Sequence, residues 1–572
     1  MLPGYKATVQ ALLTAEQSKH WGDETIGTIS RMLRETAERF LSQGDAIARE
    51  VSERMGVTPG EVWLETIFPS VWGLLSTRRG LLSHGKAKEP LRRLRHFSTD
   101  GHRTKFDGGE AIRVLPATML ERVLLPGVSG HVLLKSSAIA AHKSDLQSIE
   151  DPAEDGLALC LMPFNLASIG VLDIVHLLCR LQQRVVAKIS EKVNFVGPLL
   201  ERVLAPLIDA NALRLVYGGP EVGAWLATQP EFSHIHLTGS ARTAAAVAQL
   251  AGSAKMTVEL GGVTLAIVFP DALETKANRR DVARQIAFGA LANNGQHCVS
   301  FQVVLVPVSQ QAAFERLLRQ EFALAVARGG GSGGCRKLVD RAAVERLTAL
   351  TTELQMQGAR LTPRNPRADG EYFPACLIQQ VDEKMRLFRD EAFGPVVELL
   401  PVPVEDFAAN ALAIAHSPRL VGDLGISLFT SRPRSAEIQQ VAREVRHGIV
   451  TINTYPGVAF ATSVPWGAGP GGMSGKGWVH NYELLPEREI DKVVLTAPLG
   501  RKGLGFIRWE DPWLLNVSGQ STADFAKALV KLTLAYFLKQ PLRLVKAQWA
   551  LLNAVRRREA AARRADRLLA HG

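Results

Sequence analysis

The chain has 572 residues, of which 46% are apolar and 22% charged, a composition that fits a globular protein of more than one domain and excludes a disordered or fibrous one. Its net charge of +11 is concentrated at one end: residues 500–572 hold 14 Lys and Arg against 5 Asp and Glu, leaving only +2 for everything before them. The main body therefore needs no polyanionic partner, and nucleic acid is not expected as one.

Five cysteines (Cys160, Cys179, Cys298, Cys335, Cys376) are scattered with no C-x-x-C pair, so neither a metal site nor a disulfide framework is predicted. A reducing, cytoplasmic setting fits that usage, and the N-terminus lacks the charged-then-apolar pattern of a signal peptide. Residues 24–56 read as a helix, with Ile29, Met32, Leu33, Phe40 and Leu41 among charges. Residues 112–137 are β-rich and broken by Pro-Gly and Ser-Gly, which predicts a hairpin or edge ribbon.

From about residue 157, short apolar runs alternate with helical periodicity. Leu157–Met162, Arg184–Ile189, Leu213–Tyr217 and His234–Leu237 are the first strand candidates. Leu265–Phe269 and Gln302–Val306 follow, with helices at Asp281–Leu291 and Gln311–Ala327. Such alternation predicts parallel α/β units. The glycine-rich run at 328–334 reads as a linker, and Lys492–Thr496 as a late strand. No stretch of ~20 uninterrupted apolar residues is present, since Asn165, Asp173 and His176 break the longest one. In the tail, Phe525, Leu529, Leu532 and Tyr536 fall at helical spacing. Pro541 then interrupts, and Leu544, Leu551, Leu552 and Val555 continue an apolar face toward Arg556-Arg557-Arg558.

Two blocks carry chemistry. Residues 258–262 read Val-Glu-Leu-Gly-Gly, and residues 293–298 read Asn-Asn-Gly-Gln-His-Cys. A lone cysteine is usually a small core residue and a lone glutamate a surface carboxylate. Here Glu259 lies in an apolar run before Gly261-Gly262, and Cys298 follows a polar, turn-prone segment. A thiol can attack a carbonyl carbon, and a carboxylate can activate water to hydrolyse the resulting thioester.

With these two blocks the sequence resembles the aldehyde dehydrogenase superfamily. Further similarities occur in the family's order: Pro163-Phe164-Asn165, Ala187-Lys188-Ile189-Ser190-Glu191, Leu237-Thr238-Gly239-Ser240, Glu391-Ala392-Phe393-Gly394-Pro395-Val396, and Gly448-Ile449-Val450-Thr451-Ile452-Asn453. The resemblance spans residues 112–499. It implies an α/β fold with a Rossmann-type cofactor domain, an α/β catalytic domain and a β-ribbon bridging element. The expected division is 1–111 and 151–258 for NAD binding, 112–150 and 485–499 for bridging, 259–484 for catalysis, and 500–572 as a basic amphipathic helical tail.

The resemblance also implies the site. Cys298 is the nucleophile, Asn165 with the Cys298 N–H holds the oxyanion, and Glu259 activates the deacylating water. Lys188 and Glu191 meet the adenine ribose, Gly239 and Ser240 the pyrophosphate, and Glu391 with Phe393 the nicotinamide side. A carboxylate at the ribose accepts from its hydroxyls and repels a 2′-phosphate, so Glu191 favours NAD, with NADP as the alternative. Partners expected from the resemblance are a small-molecule aldehyde and a sister subunit, in a homodimer or homotetramer. The G-x-G-x-x-G match at 467–472 lacks a βαβ context and contains Pro470, so it is not taken as a dinucleotide fingerprint. Departures from the pattern are Val263-Thr264-Leu265 after the Glu block, Ile189 in place of Pro, and an insertion at 273–281.

Three functions compete. One is NAD-dependent oxidation of an aldehyde to a carboxylic acid. A second is a CoA-acylating dehydrogenase or acyl-CoA reductase, which needs no base at Glu259. A third is a catalytically weak scaffold that binds a partner or membrane through its tail, and such a scaffold needs none of Cys298, Asn165 and Glu259. Independently of these, an apolar face with clustered arginines over 524–567 is expected to make either peripheral membrane contact or a helical arm against the protein.

Overall fold

The computed structural model describes residues 21–94, 103–106, 109–135, 157–328, 335–364, 366–468, 475–476, 478–479, 490–499 and 519–570. Most of the predicted glycine-rich linker, the core of the 467–472 motif, residues 136–150 and 485–489 of the expected bridging segments, and 500–518 of the tail lie outside them. The α/β class is as expected, and the described strands form two large sheets and two two-stranded ones.

The first sheet is built from the parallel strands Leu157–Leu161, Arg184–Lys188, Leu213–Val216, Phe232–Gly239 and Lys255–Leu260, with Gly475–Lys476 added antiparallel against Lys255–Leu260. In space the third, second, first, fourth and fifth strands stand side by side, the doubly wound order of dinucleotide-binding domains. The first strand is buried along its whole length, which is why it reads as a continuous apolar run and not as an alternation. Order reverses between Leu157–Leu161 and Phe232–Gly239. The loops leaving those two strands carry Phe164-Asn165 and Ser240, so both blocks open into the crevice where such sheets bind ligands.

The second sheet has eleven strands. Its parallel centre contains Thr264–Val268, Phe301–Pro307, Val396–Val402, Gly425–Phe429 and Ile449–Ile452. Ile490–Thr496 pairs parallel with Ile449–Ile452 on one side and antiparallel with Ser129–Leu134 on the other. Ser129–Leu134 pairs with Gly109–Leu115. The segment expected as a hairpin or edge ribbon thus forms an antiparallel strand pair, with a short helix, Met119–Leu124, between its strands. Thr118 and Glu121 close a capping box at that helix's start.

The chain passes from one sheet to the other at Gly261-Gly262. A Cβ on Gly262 would lie 2.6 Å from Gly422 Cα and 2.8 Å from the Val421 carbonyl oxygen, so only glycine permits this approach. Glu259 therefore ends one sheet, and the strand starting at Thr264 opens the other. Val263, one of the unusual residues after the Glu block, donates its N–H to the Val421 carbonyl at 2.8 Å.

The N-terminal region forms a helical layer. Ile26–Met55 is capped by Thr25 and ended by Gly56 at φ 65°. A π-helical turn at Trp63–Ile67 then leads into Phe68–His84. The first tail helix, Gly519–Phe537, packs into this layer. Phe525, Leu529 and Leu532 are buried there, Trp72 meets Phe537 edge-on at 5.5 Å, and Lys527 Nζ lies 5.5 Å above the Trp63 ring and 2.6 Å from Asp45. The apolar face expected from 525 to 536 is thus part of the protein's own core and is not available to a membrane. The second tail helix, Pro541–Ala570, exposes apolar side chains, among them Leu542, Val545 and Trp549.

Candidate active site

Cys298 sits just before the strand Phe301–Pro307, at the end of an unusual turn. Asn293 and Asn294 adopt φ 46° and 58°, and Gly295 φ 75°. Three successive left-handed residues are rare outside functional loops, and each non-glycine costs on the order of 1 kcal/mol or more. The turn is held by long-range bonds. Asn293 Nδ2 donates to the Asn165 carbonyl at 3.0 Å, Asn294 Nδ2 to the Met55 carbonyl at 3.1 Å, and the Val339 N–H to Gln296 Oε1 at 2.9 Å. The Asn-Asn-Gly-Gln sequence thus fixes the nucleophile through side-chain amides as much as through its backbone.

Asn165 lies beside that turn and donates through Nδ2 to the Gln296 carbonyl at 3.1 Å. An amide nitrogen carries two N–H groups, so one remains for a ligand in the pocket that Asn165 and Cys298 both line. Glu259 is buried, and one carboxylate oxygen accepts from Trp466 Nε1. Burial first, and the nearby Asp173 carboxylate second, push its pKa up to about 8, against the Trp466 hydrogen bond and His236. The Cys298 thiol is driven well above its usual value by burial, then by the carboxylates of Glu259 and Glu391. The Glu259 carboxylate thus disfavours the thiolate form of Cys298.

Behind Glu259 lies a polar cluster that sequence reasoning missed. Asp173 Oδ2 accepts from Thr238 Oγ1 at 3.0 Å and stands 3.4 Å from His236 Nε2, with all three residues buried. Burial lowers the His236 pKa, but Asp173 outweighs it and the net shift is upward. In sequence, Asp173 only interrupts an apolar run. Trp466, which holds Glu259, was equally silent as part of a glycine-rich segment.

Of the expected cofactor residues, Lys188, Glu191, Gly239 and Ser240 lie at strand ends of the first sheet, while Glu391 and Phe393 precede a strand of the second and Glu391 comes close to Gly261. Lys188 ends its strand, with burial lowering its pKa while Glu191 and Glu221 oppose that shift. Glu221, absent from the expected set, also accepts from the Gly219 N–H at 3.2 Å. Gly239 ends the fourth strand and Ser240 caps the following helix, Ala241–Leu250, accepting from the Thr243 N–H at 3.2 Å. That helix start offers backbone N–H groups and a positive dipole end to an anion. Glu391 is raised to about 8 by burial, opposed by the Gly262 N–H and Arg346. Phe393, at φ 44°, meets Phe164 edge-on at 5.6 Å. Carboxylates, a lysine and a capped helix start at the strand ends of the first sheet, with Glu391 near Gly261, make a donor set that fits a dinucleotide.

On the other side of Cys298 is a cavity of about 760 Å³. Leu64, Ile169, Phe288, Val458, Phe460 and Trp466 make most of its wall apolar. Glu65, from the N-terminal π-helical turn, also reaches it. Its Oε2 lies 3.5 Å from His297 Nε2, while His297 Nδ1 is 2.9 Å from the Tyr455 hydroxyl. No sequence motif marked Glu65, because its role depends on contact across more than two hundred residues.

A thiol, a side-chain amide and a buried carboxylate thus come together between a doubly wound nucleotide-type sheet and an apolar cavity. The aldehyde dehydrogenase family model matches residues 131–482, and the chain belongs to that family. A probable coniferyl aldehyde dehydrogenase of Pseudomonas aeruginosa is 29% identical over 319 residues, 55% of this chain and 63% of that protein. A coniferyl aldehyde dehydrogenase of another Pseudomonas is 25% identical over 330 residues, 56% of this chain and 66% of that protein. The chain thus spans just under two thirds of these relatives' lengths. An aldehyde dehydrogenase of Mycobacterium tuberculosis complexed with NAD+ shares the fold, with a TM-score of 0.64 at 18% identity over 87% of this chain and 90% of that one.

Proposed function

We propose that this chain oxidises an apolar aldehyde to its carboxylic acid with NAD as hydride acceptor. The observation that carries this is the meeting of Cys298 and Asn165 at one cavity, with the buried Glu259 held by the cavity residue Trp466 and near enough to raise the pKa of the Cys298 thiol. Cys298 Sγ attacks the aldehyde carbon, and its proton passes to Glu259. Asn165 Nδ2 and the Cys298 N–H receive the developing oxyanion, and preorganised donors of this kind are worth about 3–4 kcal/mol of barrier each. Lys188, Glu191, Ser240 and Glu391 would hold a dinucleotide, which when bound would supply the hydride acceptor needed to take the Cys298 adduct to a thioester. Glu259, its proton released to solvent, then takes a proton from water, whose oxygen displaces Cys298 as thiolate. Aldehyde and water become carboxylic acid, with one hydride transferred and one proton released.

Glu191 beside Lys188 favours a free ribose over a phosphorylated one, which supports NAD over NADP. What supports hydrolysis over transfer to CoA is a buried Glu259 that raises the pKa of the Cys298 thiol and has its own pKa near 8, where a general base works at ordinary pH. The aromatic and aliphatic cavity wall, together with relatives named for coniferyl aldehyde, supports a bulky aromatic aldehyde.

The test is an aldehyde panel with NAD, with NADP, and with NADH plus acyl-CoA thioesters. Cys298→Ala is expected to abolish turnover, and Glu259→Gln to give a burst of NADH followed by slow release. Full activity in Cys298→Ala would overturn the mechanism, and faster reduction of acyl-CoA than oxidation of aldehyde would replace it with the CoA-dependent one.

A further inference from the structure

The second tail helix has two apolar faces, and the protein uses one. Leu544, Ala547, Leu551 and Ala554 turn inward and join the core shared with the first tail helix. At 100° per residue, Leu542, Val545, Trp549 and Leu552 form a second stripe on the opposite side. Leu542 is 82% exposed, Val545 56% and Trp549 62%. Scattered exposed apolar residues are ordinary, but a stripe of four at helical spacing with a central Trp is not.

Charge identifies what covers it. Exposed Arg543, Lys546 and Arg556 flank or extend the stripe, and the segment 541–570 holds eight Lys and Arg against two acidic residues. A second copy laid on this face would set these cations against each other. An anionic lipid surface accepts both features: the apolar stripe enters the acyl boundary, Trp549 sits at the interface, and the cations meet headgroup phosphates and carboxylates. No helix among the described residues is long and apolar enough to cross a membrane, so the contact this geometry permits is peripheral.

We propose that Pro541–Ala570 is a docking helix for an anionic lipid surface. It is anchored to the enzyme through the first tail helix, which packs on the same N-terminal layer that lends Leu64 and Glu65 to the substrate cavity. The docking proposal stands independently of the chemistry proposed above, since it rests on a surface remote from Cys298 in sequence and is read by binding alone.

The test is flotation of the full chain with phosphatidylcholine vesicles, with and without phosphatidylserine, at low and high salt. Wild type is expected to float with the anionic vesicles at low salt, and about tenfold less with neutral vesicles or at high salt. The double variant Leu542→Glu, Trp549→Glu is expected to lose about tenfold in bound fraction with an unchanged thermal midpoint, since both side chains are exposed. Arg543→Glu, Lys546→Glu is expected to remove the preference for phosphatidylserine. Equal flotation of wild type and the double variant overturns the proposal, as does absence of binding to anionic vesicles. A wild-type oligomer that the double variant dissociates overturns it too, assigning the stripe to a second copy.

Discussion

Glu65 Oε2 stands 3.5 Å from His297 Nε2, and through that pair the N-terminal helical layer is tied to the residue next to Cys298. His297 is further fixed by Tyr455 at 2.9 Å and by its own N–H to Ser300 Oγ at 3.2 Å. A partly exposed pair of this kind is worth at most about 1 kcal/mol. Glu65→Gln is therefore expected to lower kcat/KM by roughly fivefold, with Cys298 still alkylated by iodoacetamide. Steady-state kinetics that match wild type would show that Glu65 positions nothing.

Glu259 sets the expected pH dependence. It must be unprotonated to accept a proton, and burial holds its pKa near 8. Steady-state oxidation should therefore rise with pH and level off above that value, provided deacylation limits the rate. The Trp466 hydrogen bond favours the carboxylate, so Trp466→Phe should move the rise to higher pH and leave the plateau nearly unchanged. A pH–rate profile for the two proteins reads both effects, and superimposable profiles would remove Trp466 from the account.

Gly295 should tolerate no side chain. Its φ is 75°, and a Cβ would lie 2.3 Å from the Gly394 carbonyl carbon. Because the obstacle is backbone, relief requires moving the turn that carries Cys298. Displacement of about 1 Å at a reacting centre costs on the order of 100-fold. Gly295→Ala is expected to fold but lose that much in kcat, as single-turnover measurements would reveal.

Glu398 offers a stability test away from the site. It is fully buried in the strand Val396–Val402, neither carboxylate oxygen has a hydrogen-bond partner among the described residues, and burial, aided by Asp382, raises its pKa well above the usual value. Between the unfolded and folded pKa the native state binds a proton that the unfolded state lacks, so Glu398 stabilises less as pH rises through that window. Glu398→Met should raise the thermal midpoint, by about 1–3 kcal/mol of stability, and more at pH 8 than at pH 5. A midpoint that falls equally at both pH values would mean the carboxyl has a partner after all.

Much of the fold was legible because it is written locally. The strands from Leu157, Arg184, Leu213, Leu265 and Gln302 were placed within one or two residues, since fully buried parallel strands are continuous apolar runs between turn residues. The short helix Met119–Leu124 was missed because Pro-Gly and Ser-Gly around it signal turns more strongly than six residues signal a helix. The tail misled in a different way. Its first helix is apolar on one side by sequence, and nothing in that periodicity says whether the side meets lipid or the protein's own Trp63 and Trp72.

Sequence alone determined which chemical groups the molecule owns and their order: Asn165, Glu259 and Cys298 lie in blocks whose residue types suit carbonyl chemistry. Tertiary structure decided how those groups behave. The raised pKa of Glu259 comes from burial and from Asp173, the wall of the cavity from Glu65 and Leu64, and the grip on the base from Trp466. Desolvation and Coulomb interactions depend on distance in space, and the residues that supply them here come from segments far apart in the chain, where no local pattern records them.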